Sequence, residues 1–191
     1  MWDAEHPNLY VLQVNVQSAD GGYSFEREIG FRKIEVKGDR MLVNGKQVKL
    51  RGACRHDIHP TLGRTSTPEL DSLDAALFKR ANMNFVRTSH YPPTESFLKY
   101  CDREGIYVEC ETAVCFVDTY RQKNYAPGKS QDDPEATAQY LGQLEEMVAT
   151  SRSHASVLFW SIGNESVYGK NFQLSYDWLK NEDKTRPVIF S

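Results

Sequence analysis

The spacing of apolar residues changes near residue 50, and this change constrains the fold more than any other feature of the chain. Before it, apolar side chains recur at every second position, as at Tyr10, Leu12, Val14 and Val16, which is the period of a β-strand with one buried face. After it, short apolar runs alternate with segments of helical spacing, the pattern of βα units around a parallel sheet. The sequence therefore predicts an antiparallel β segment that leads into an α/β domain.

Turn residues divide the N-terminal β segment into two hairpins. In the first, Asp-Gly-Gly at 20–22 separates two alternating runs, and the second run continues to Phe31. In the second, Asn44 and Gly45 follow an apolar strand, and an Asn-Gly pair tolerates the positive φ angles of a type I′ turn. The first hairpin is typical of a β-sandwich.

Beyond residue 50 the periodicity predicts five strands, at 49–53, 84–88, 106–111, 157–162 and 187–191. The first helix begins with Thr67 as N-cap and ends near 82, the second spans 94–104, the third follows Pro134, and the fourth spans 171–181. We expect the first and fourth helices to bury Leu70, Leu73, Leu77 and Phe78, and Phe172, Tyr176 and Leu179, respectively. The connection at 116–133 is longer than loops usually are unless they have a function.

Polar side chains follow four of the predicted strands. They are Arg55-His56-Asp57 after the first, Arg87 to His90 after the second, Glu109 and Glu111 at the end of the third, and Asn164-Glu165 after the fourth. The carboxyl ends of parallel strands meet at one rim, which is where βα barrels place their chemistry. Loops are polar in most proteins, but four successive strand ends with His, Arg, Asn and Glu predict a functional site.

Composition excludes two other classes of protein. Lys+Arg total 23 and Asp+Glu total 26, so the net charge is −3, and the isoelectric point near 6.0 argues against a nucleic-acid binder. No run approaches the roughly 18 consecutive apolar residues of a membrane span. The first residues lack the basic start and apolar run of a signal peptide, and the compartment stays open.

The four cysteines form no CxxC pair, which argues against a disulfide framework and favours reduced thiols. Cys54, His56 and His59 lie close together in the sequence and leave a zinc hydrolase open as an alternative. A fourth ligand is not evident nearby, so we expect no metal at this cluster.

Ordered motifs run along almost the whole chain. They are GFR at 30–32, LVNGK at 42–46, LRG at 50–52 with RHD at 55–57, VRTSHYP at 86–92 and WSIGNES at 160–166. As a set they resemble glycoside hydrolase family 2, the family of β-galactosidase and β-glucuronidase. The GNES segment with YGKN after it is more similar to the β-galactosidase branch.

The resemblance implies an immunoglobulin-like β-sandwich that ends within 1–33 and the N-terminal part of a TIM-barrel catalytic domain at 34–191. The fold class is thus α/β, a partial (β/α)₈ barrel of about five of the eight strands preceded by a short hairpin. The resemblance to the family also implies a retaining mechanism with two carboxylates. Glu165 matches the acid/base of the family, and an apolar-backed, buried setting after 157–160 is expected to help keep it protonated.

The same resemblance assigns substrate-binding positions. Asn164 matches the residue that hydrogen-bonds the sugar 2-hydroxyl, and His90 and His56 match residues that line the sugar pocket. Arg87 matches the residue that orients the nucleophile, although a structural ion pair is an equal alternative for it. Glu111 is expected to be a pocket or structural carboxylate.

The family nucleophile lies at the end of barrel strand seven, which is not among the strands predicted here. A complete barrel takes about 250 residues, whereas 34–191 contains 191 − 33 = 158. We therefore expect a fragment of a larger enzyme, inactive alone, whose partner is the rest of its parent chain and whose open sheet edges invite self-association.

We expect the protein to use no cofactor. In the metal-dependent β-galactosidases of the family, a Glu and a His after the strand-three carboxylate help to hold magnesium, and Cys115 and Val117 occupy the corresponding positions here. Magnesium prefers oxygen ligands. The resulting prediction is a β-galactosidase-like glycosidase of carbohydrate metabolism. The alternatives are a β-glucuronidase or another β-glycosidase of the family, or a non-catalytic carbohydrate-binding module.

Overall fold

The computed structural model describes residues 1–118 and 129–191. Its strands are β1 (Tyr10–Ser18), β2 (Gly21–Ile29), β3 (Ile34–Lys37), β4 (Arg40–Val43), β5 (Lys46–Gln47), β6 (Gly52–Arg55), β7 (Phe85–Thr88), β8 (Tyr107–Glu111), β9 (Val157–Ser161) and β10 (Val188–Ile189). Its helices are α1 (Pro68–Arg80), α2 (Glu95–Glu104), α3 (Thr137–Ser151) and α4 (Lys170–Glu182), and a 3₁₀ turn at Pro134–Ala136 precedes α3. The predicted connection at 116–133 lies mostly outside the described residues.

The strands β6 to β10 form one parallel sheet in the order β10-β9-β8-β7-β6, and one helix connects each neighbouring pair. Each strand lies beside its predecessor in the chain, which is how a (β/α) barrel advances, whereas a doubly wound sheet reverses direction part-way. The predicted partial barrel is therefore confirmed. Within the described residues the sheet does not close, and Gly52, Ala53 and Cys54 on the outer strand β6 are exposed.

Both predicted N-terminal hairpins are present. β1 and β2 pair antiparallel from Tyr10 opposite Ile29 to the turn after Ser18. β4 and β5 pair across Asn44 and Gly45, whose φ angles of 53° and 79° are those of a type I′ turn. The alternation did not predict β3, which pairs with β4 to make a three-stranded sheet. That residues 1–33 end a β-sandwich domain stays a prediction.

Helix ends follow the predicted capping chemistry. Thr67 Oγ1 accepts a hydrogen bond from the Leu70 amide at 3.4 Å at the start of α1. Gly105 ends α2 in the left-handed conformation, with φ 71°. The described parts of the chain contain no helix with the length and apolar character that crossing a bilayer requires.

The predicted buried stripe of α1 is wrong for two of its members. Leu73 and Leu77 are 51% and 46% exposed, and the helix buries Asp71 and Ala75 instead. The reason is electrostatic, because the buried Arg55 guanidinium draws the Asp71 face of α1 inward. In α4, Tyr176 is likewise exposed, because the buried face runs through the residues Asn171, Phe172, Ser175 and Leu179.

Arg55 at the end of β6 is the centre of a buried ionic cluster. Its guanidinium donates to Asp71 at 2.8 Å, to Asp74 at 2.7 Å and to Asp57, and it lies 3.9 Å from the centre of the Phe97 ring. Asp71 is fully buried and also accepts hydrogen bonds from the hydroxyls of Ser66, Thr94 and Ser96. The cluster thus joins β6 and the loop after it to α1 and to the start of α2.

The N-terminal residues pack against the amino end of the sheet. Trp2 is fully buried, donates its indole N–H to the Asp102 carbonyl at 2.8 Å and meets Tyr107 edge-on, with ring centroids 5.7 Å apart. Leu158 and Phe159 belong to the same cluster. The amino end is therefore filled by apolar side chains, and the polar residues lie at the carboxyl end.

Candidate active site

The carboxyl ends of β7, β8 and β9 bring four predicted site residues into one hydrogen-bonded cluster. Arg87 Nε donates to Glu111 Oε2 at 2.9 Å, and Nη2 donates to Asn164 Oδ1 at 2.8 Å. His90 Nδ1 lies 2.7 Å from Glu111 Oε1. Strand ends of a parallel sheet share an edge, so residues far apart in the sequence meet here.

Glu111 is the centre of this cluster and has no exposed surface. Besides Arg87 and His90, its carboxylate accepts a hydrogen bond from Ser161 Oγ at 2.7 Å. Burial and these protein partners favour the structural alternative for Glu111 over the pocket role, and its role stays a prediction. The same burial argues against Glu111 as an attacking nucleophile.

Glu109 adds a second carboxylate, with Oε1 3.2 Å from Arg87 Nε. Burial raises the pKa of Glu109 above its usual range, against the opposing charge of Arg87. Burial alone would lower the pKa of Arg87, but its hydrogen bonds to Glu111 and the charges of both carboxylates raise it. The Arg87 cation is consequently held between two carboxylates inside the sheet.

Asn164 and Glu165 lie on a loop that continues the pairing of β8 and β9 beyond the strand ends. The Asn164 amide donates to the Val114 carbonyl at 3.0 Å, and the Phe116 amide donates to the Asn164 carbonyl at 3.0 Å. The Glu165 amide donates to the Ser191 carbonyl at 2.8 Å, and Glu165 has a φ of 40°. Backbone contacts from two neighbouring segments therefore fix the direction of this loop.

The environment expected for Glu165 is wrong in one respect. Its side chain is exposed, whereas Asn164 before it is only 3% exposed. The apolar run of β9 is buried, but the left-handed backbone at Glu165 turns the chain out of that run. Apolar residues that precede a position in sequence thus do not ensure that the position is buried.

His56 lies beside His90, as expected for two residues of one pocket. Their ring centroids are 5.3 Å apart and the rings meet edge-on. Tyr91 is next to them, with its ring 6.4 Å from that of His56 and its hydroxyl accepting a hydrogen bond from the Asp57 amide at 2.9 Å. The loop after β6 is thereby attached to the loop after β7.

The zinc alternative finds no support in the geometry. Among residues 1–118 and 129–191, no group of three or more His, Cys, Asp or Glu side chains is arranged to hold a metal ion. His59 Nδ1 instead faces a local turn, where the amides of Thr61 and Leu62 lie within 3.3 Å of it. Cys54, His56 and His59 do not come together as a ligand set.

The residues after β8 do not fit the magnesium site of the metal-dependent relatives. The Cys115 side chain offers a thiol and the Val117 side chain offers no ligand atom, whereas magnesium prefers hard oxygen ligands. Burial is the main factor that raises the pKa of Cys115, and the charges of Glu111 and Glu165 add to it.

Sequence reasoning missed two groups that complete the cluster. Ser161 holds Glu111, and Thr88 Oγ1 accepts a hydrogen bond from the Glu111 amide at 3.2 Å. Both lie at strand ends, and that position was the signal that could have identified them. A single hydroxyl on a strand carries no pattern of its own in the sequence.

Comparison with known proteins agrees with this geometry. The family model described as "Glycosyl hydrolases family 2, TIM barrel domain" matches residues 34–191. The β-galactosidase of Vibrio vulnificus (strain YJ016) is 38% identical over 191 residues, which are 99% of this chain and 18% of that protein. The β-galactosidase large subunit of Latilactobacillus sakei is 38% identical over 197 residues, which cover 99% of this chain and 31% of that protein.

Solved structures of the same kind of enzyme also superpose on this chain. The β-D-glucuronidase of Dictyoglomus thermophilum superposes with a TM-score of 0.92 at 26% identity, and the match covers 100% of this chain and 34% of that one. A β-glucuronidase of Parabacteroides merdae gives a TM-score of 0.85 at 26% identity over 100% of this chain and 24% of its own. The chain spans about a fifth to a third of the relatives it matches. The family match over 34–191 shows that this chain belongs to glycosyl hydrolase family 2.

Proposed function

We propose that this chain carries the acid/base part of the active site of a retaining β-glycosidase that acts on β-galactosides. The observation that supports this most is the Arg87-Glu111-His90-Asn164 cluster at the carboxyl rim, with Glu165 directly after Asn164. Membership of glycosyl hydrolase family 2 gives the cluster its chemical context.

A retaining mechanism uses two carboxyl groups about 5–5.5 Å apart. One protonates the leaving oxygen and later activates water, and the other attacks the anomeric carbon. Glu165 is assigned the first role. The attacking carboxylate comes from a part of the enzyme outside these 191 residues, since Glu111 is buried and fully engaged.

Asn164 is the residue we assign to the sugar 2-hydroxyl. Its Oδ1 accepts from Arg87, which leaves Nδ2 as a donor, and Nδ2 is buried without a hydrogen-bond partner among the described residues. An unpaired buried donor is costly, and a bound hydroxyl would satisfy it. His90 and His56 are then assigned to the sugar pocket. For Arg87, which pairs with Glu109 and Glu111, orienting the nucleophile and a structural ion pair stay equal alternatives.

The curated relatives favour a galactoside, because β-galactosidases match at 38% identity. The β-glucuronidase structures at 26% identity support a glucuronide as the second candidate. Parallel assays with aryl β-galactoside and aryl β-glucuronide decide between the two sugars.

The assignment of Glu165 is tested by Glu165→Gln in the full-length enzyme. This change removes the proton donor while keeping the side-chain shape, and general acid catalysis contributes about 10²–10⁴-fold. We expect a loss of that size for a poor leaving group and a small loss in glycosylation for an activated aryl leaving group. Added azide should restore turnover by replacing base-assisted water.

Glu182→Gln is the matched control, because Glu182 ends α4 and pairs with Arg152 at 2.7 Å, on the side of the sheet away from the rim. It should leave both substrates unaffected. Equal losses on activated and unactivated substrates in Glu165→Gln, without azide rescue, would remove the acid/base assignment. Sugar binding by the unmodified enzyme without any hydrolysis would indicate a binding module instead.

A further inference from the structure

Two neighbouring loops pair in parallel beyond the ends of β8 and β9, where Cys115 lies beside Asn164. Each loop then contains a residue with a left-handed backbone. In the loop after β9 it is Glu165, with a φ of 40°, and in the loop after β8 it is Phe116, with a φ of 58°. Residues other than glycine adopt this region rarely, and such a conformation persists only where the surrounding structure holds it.

The regular pairing of the two loops is interrupted at these left-handed residues. Before them, the Asn164 amide donates to the Val114 carbonyl and the Phe116 amide donates to the Asn164 carbonyl, both at 3.0 Å, as in a parallel sheet. The next amide of a regular ladder would come two residues after Asn164. Instead it comes three residues later, where the Val167 amide donates to the Val117 carbonyl at 3.0 Å. The alternation of bonded residues is therefore shifted by one position.

The hydroxyl of Ser166 bridges this interruption. Its Oγ accepts a hydrogen bond from the Val117 amide at 3.0 Å and donates one to the Asn164 carbonyl at 2.9 Å. One oxygen thus connects the residue after Glu165 both to the residue before it and to the loop after β8. The Glu165 amide donates to the Ser191 carbonyl at 2.8 Å, so the peptide group that enters Glu165 is held at its carbonyl and at its amide.

We propose that Ser166 is a positioning residue for Glu165, because its hydroxyl holds the left-handed backbone that directs the Glu165 side chain. This inference rests on the proposed function, since it takes Glu165 as the acid/base. A general acid must lie within about 2.6–3.2 Å of the atom that it protonates, and a displacement of about 1 Å can cost 10²-fold in rate. Ser166 acts through the backbone and transfers no proton itself.

The test measures kcat/KM, which reports glycosylation, for Ser166 variants of the full-length enzyme on methyl and dinitrophenyl β-glycosides of the sugar that it hydrolyses. The methyl substrate needs protonation of its leaving group, and Ser166→Ala should lower its kcat/KM about tenfold. The dinitrophenyl substrate needs little protonation and should stay within about twofold. Ser166→Thr keeps the bridging oxygen and should retain wild-type values. Ser166→Cys keeps the size but bonds weakly, so its loss should be intermediate.

A double variant separates positioning of Glu165 from a general structural role. Glu165→Gln has no proton to place, so adding Ser166→Ala to it should lower kcat/KM for the methyl substrate no further, because residues that act as a unit are not additive. A further tenfold fall in the double variant would overturn the inference. Equal losses of Ser166→Ala on the methyl and dinitrophenyl substrates would also overturn it, because the proton donor would then not be what is disturbed.

Ser175→Ala is the matched control, because Ser175 Oγ also donates to a backbone carbonyl, that of Asn171 at 2.8 Å, but lies within α4. It should leave both substrates unaffected. Melting temperatures show whether each variant is folded, and Ser166→Cys carries the test if Ser166→Ala is not. Equal losses on both substrates in Glu165→Gln would reject the proposed function and this inference with it. A loss confined to the methyl substrate in Glu165→Gln, but absent in Ser166→Ala, would reject the role of Ser166 alone.

Discussion

Replacing Asp71 with Asn should destabilise the protein far more than the same change at Asp74. Both carboxylates accept hydrogen bonds from Arg55, at 2.8 and 2.7 Å. They differ in burial, because the Asp71 side chain is 0% exposed and that of Asp74 is 39% exposed. They differ also in partners, since three hydroxyls in addition to Arg55 donate to Asp71.

The magnitude follows from what the buried site loses. Removing one partner of a buried ion pair costs about 3–5 kcal/mol when the remaining charge is left uncompensated. Arg55 keeps Asp57 and Asp74 after Asp71→Asn, so we expect about 2–3 kcal/mol, or roughly a 30- to 150-fold fall in the folded-to-unfolded ratio. Asp74→Asn removes a half-exposed pair and should cost less than about 1 kcal/mol.

Acid provides an independent check on Asp71. Burial alone would raise the pKa of its carboxyl, but the donating hydroxyls and the charge of Arg55 outweigh burial and lower it. A carboxyl with a depressed folded pKa stabilises the protein above its unfolded pKa of about 3.9 and loses that effect as the pH falls through the folded value. The stability difference between wild type and Asp71→Asn should therefore shrink below about pH 4.

Urea unfolding followed by circular dichroism measures both variants at pH 7 and again at pH 3–4. The expected result is a lower midpoint with an unchanged slope for Asp71→Asn, and a midpoint near wild type for Asp74→Asn. Equal losses in the two variants would refute the reasoning, because burial and the hydroxyl donors would then add nothing to the pair with Arg55.

Two further predictions concern acid and glycine. Burial opposes ionisation of Asp183, but its hydrogen-bond donors and the charge of Arg186 outweigh burial and hold its pKa well below the usual range. Asp183→Asn should therefore destabilise the protein at pH 7 and destabilise it less in acid. Urea unfolding at pH 7 and in acid would measure both losses. Gly105→Ala should lower the melting temperature more than Gly38→Ala. Both glycines have a positive φ, but a Cβ at 105 would lie 2.4 Å from the Ala4 carbonyl oxygen, whereas a Cβ at 38 meets nothing within 4 Å. Equal falls in melting temperature would show that the clash with Ala4 does not matter.

The sequence predicted the elements of this fold well because their signals are local. Thr67 and Gly105 cap helices through their own chemistry, and Asn44-Gly45 sets a turn without help from the rest of the chain. The exposed Leu73 and Leu77 were mispredicted because the buried face of α1 is decided by Arg55, which lies on another element. Amphipathic spacing does not contain that information.

The clustering of the predicted site residues follows for a similar reason, whereas their roles stay predictions. Position at the strand ends located Arg87, His90, Glu111 and Asn164 on one rim, and they are in contact there. The exposure of Glu165 was not predictable, since it depends on a left-handed backbone angle set by contacts with neighbouring loops. Burial within the cluster also depends on contacts between strands, which motif matching does not specify.

The buried ion pair at the centre of the site fixes which atoms are left to face a ligand. Asn164 Oδ1 accepts from Arg87, so its Nδ2 can only donate. His90 Nδ1 lies 2.7 Å from Glu111 Oε1, so the buried carboxylate engages this ring nitrogen and Nε2 is the one that can face a ligand. A fixed buried donor at the rim suits a hydroxyl group, which can accept as well as donate. Arg87 thus fixes the donor that Asn164 presents to the pocket, although the Arg87-Glu111 pair contributes no exposed carboxylate of its own.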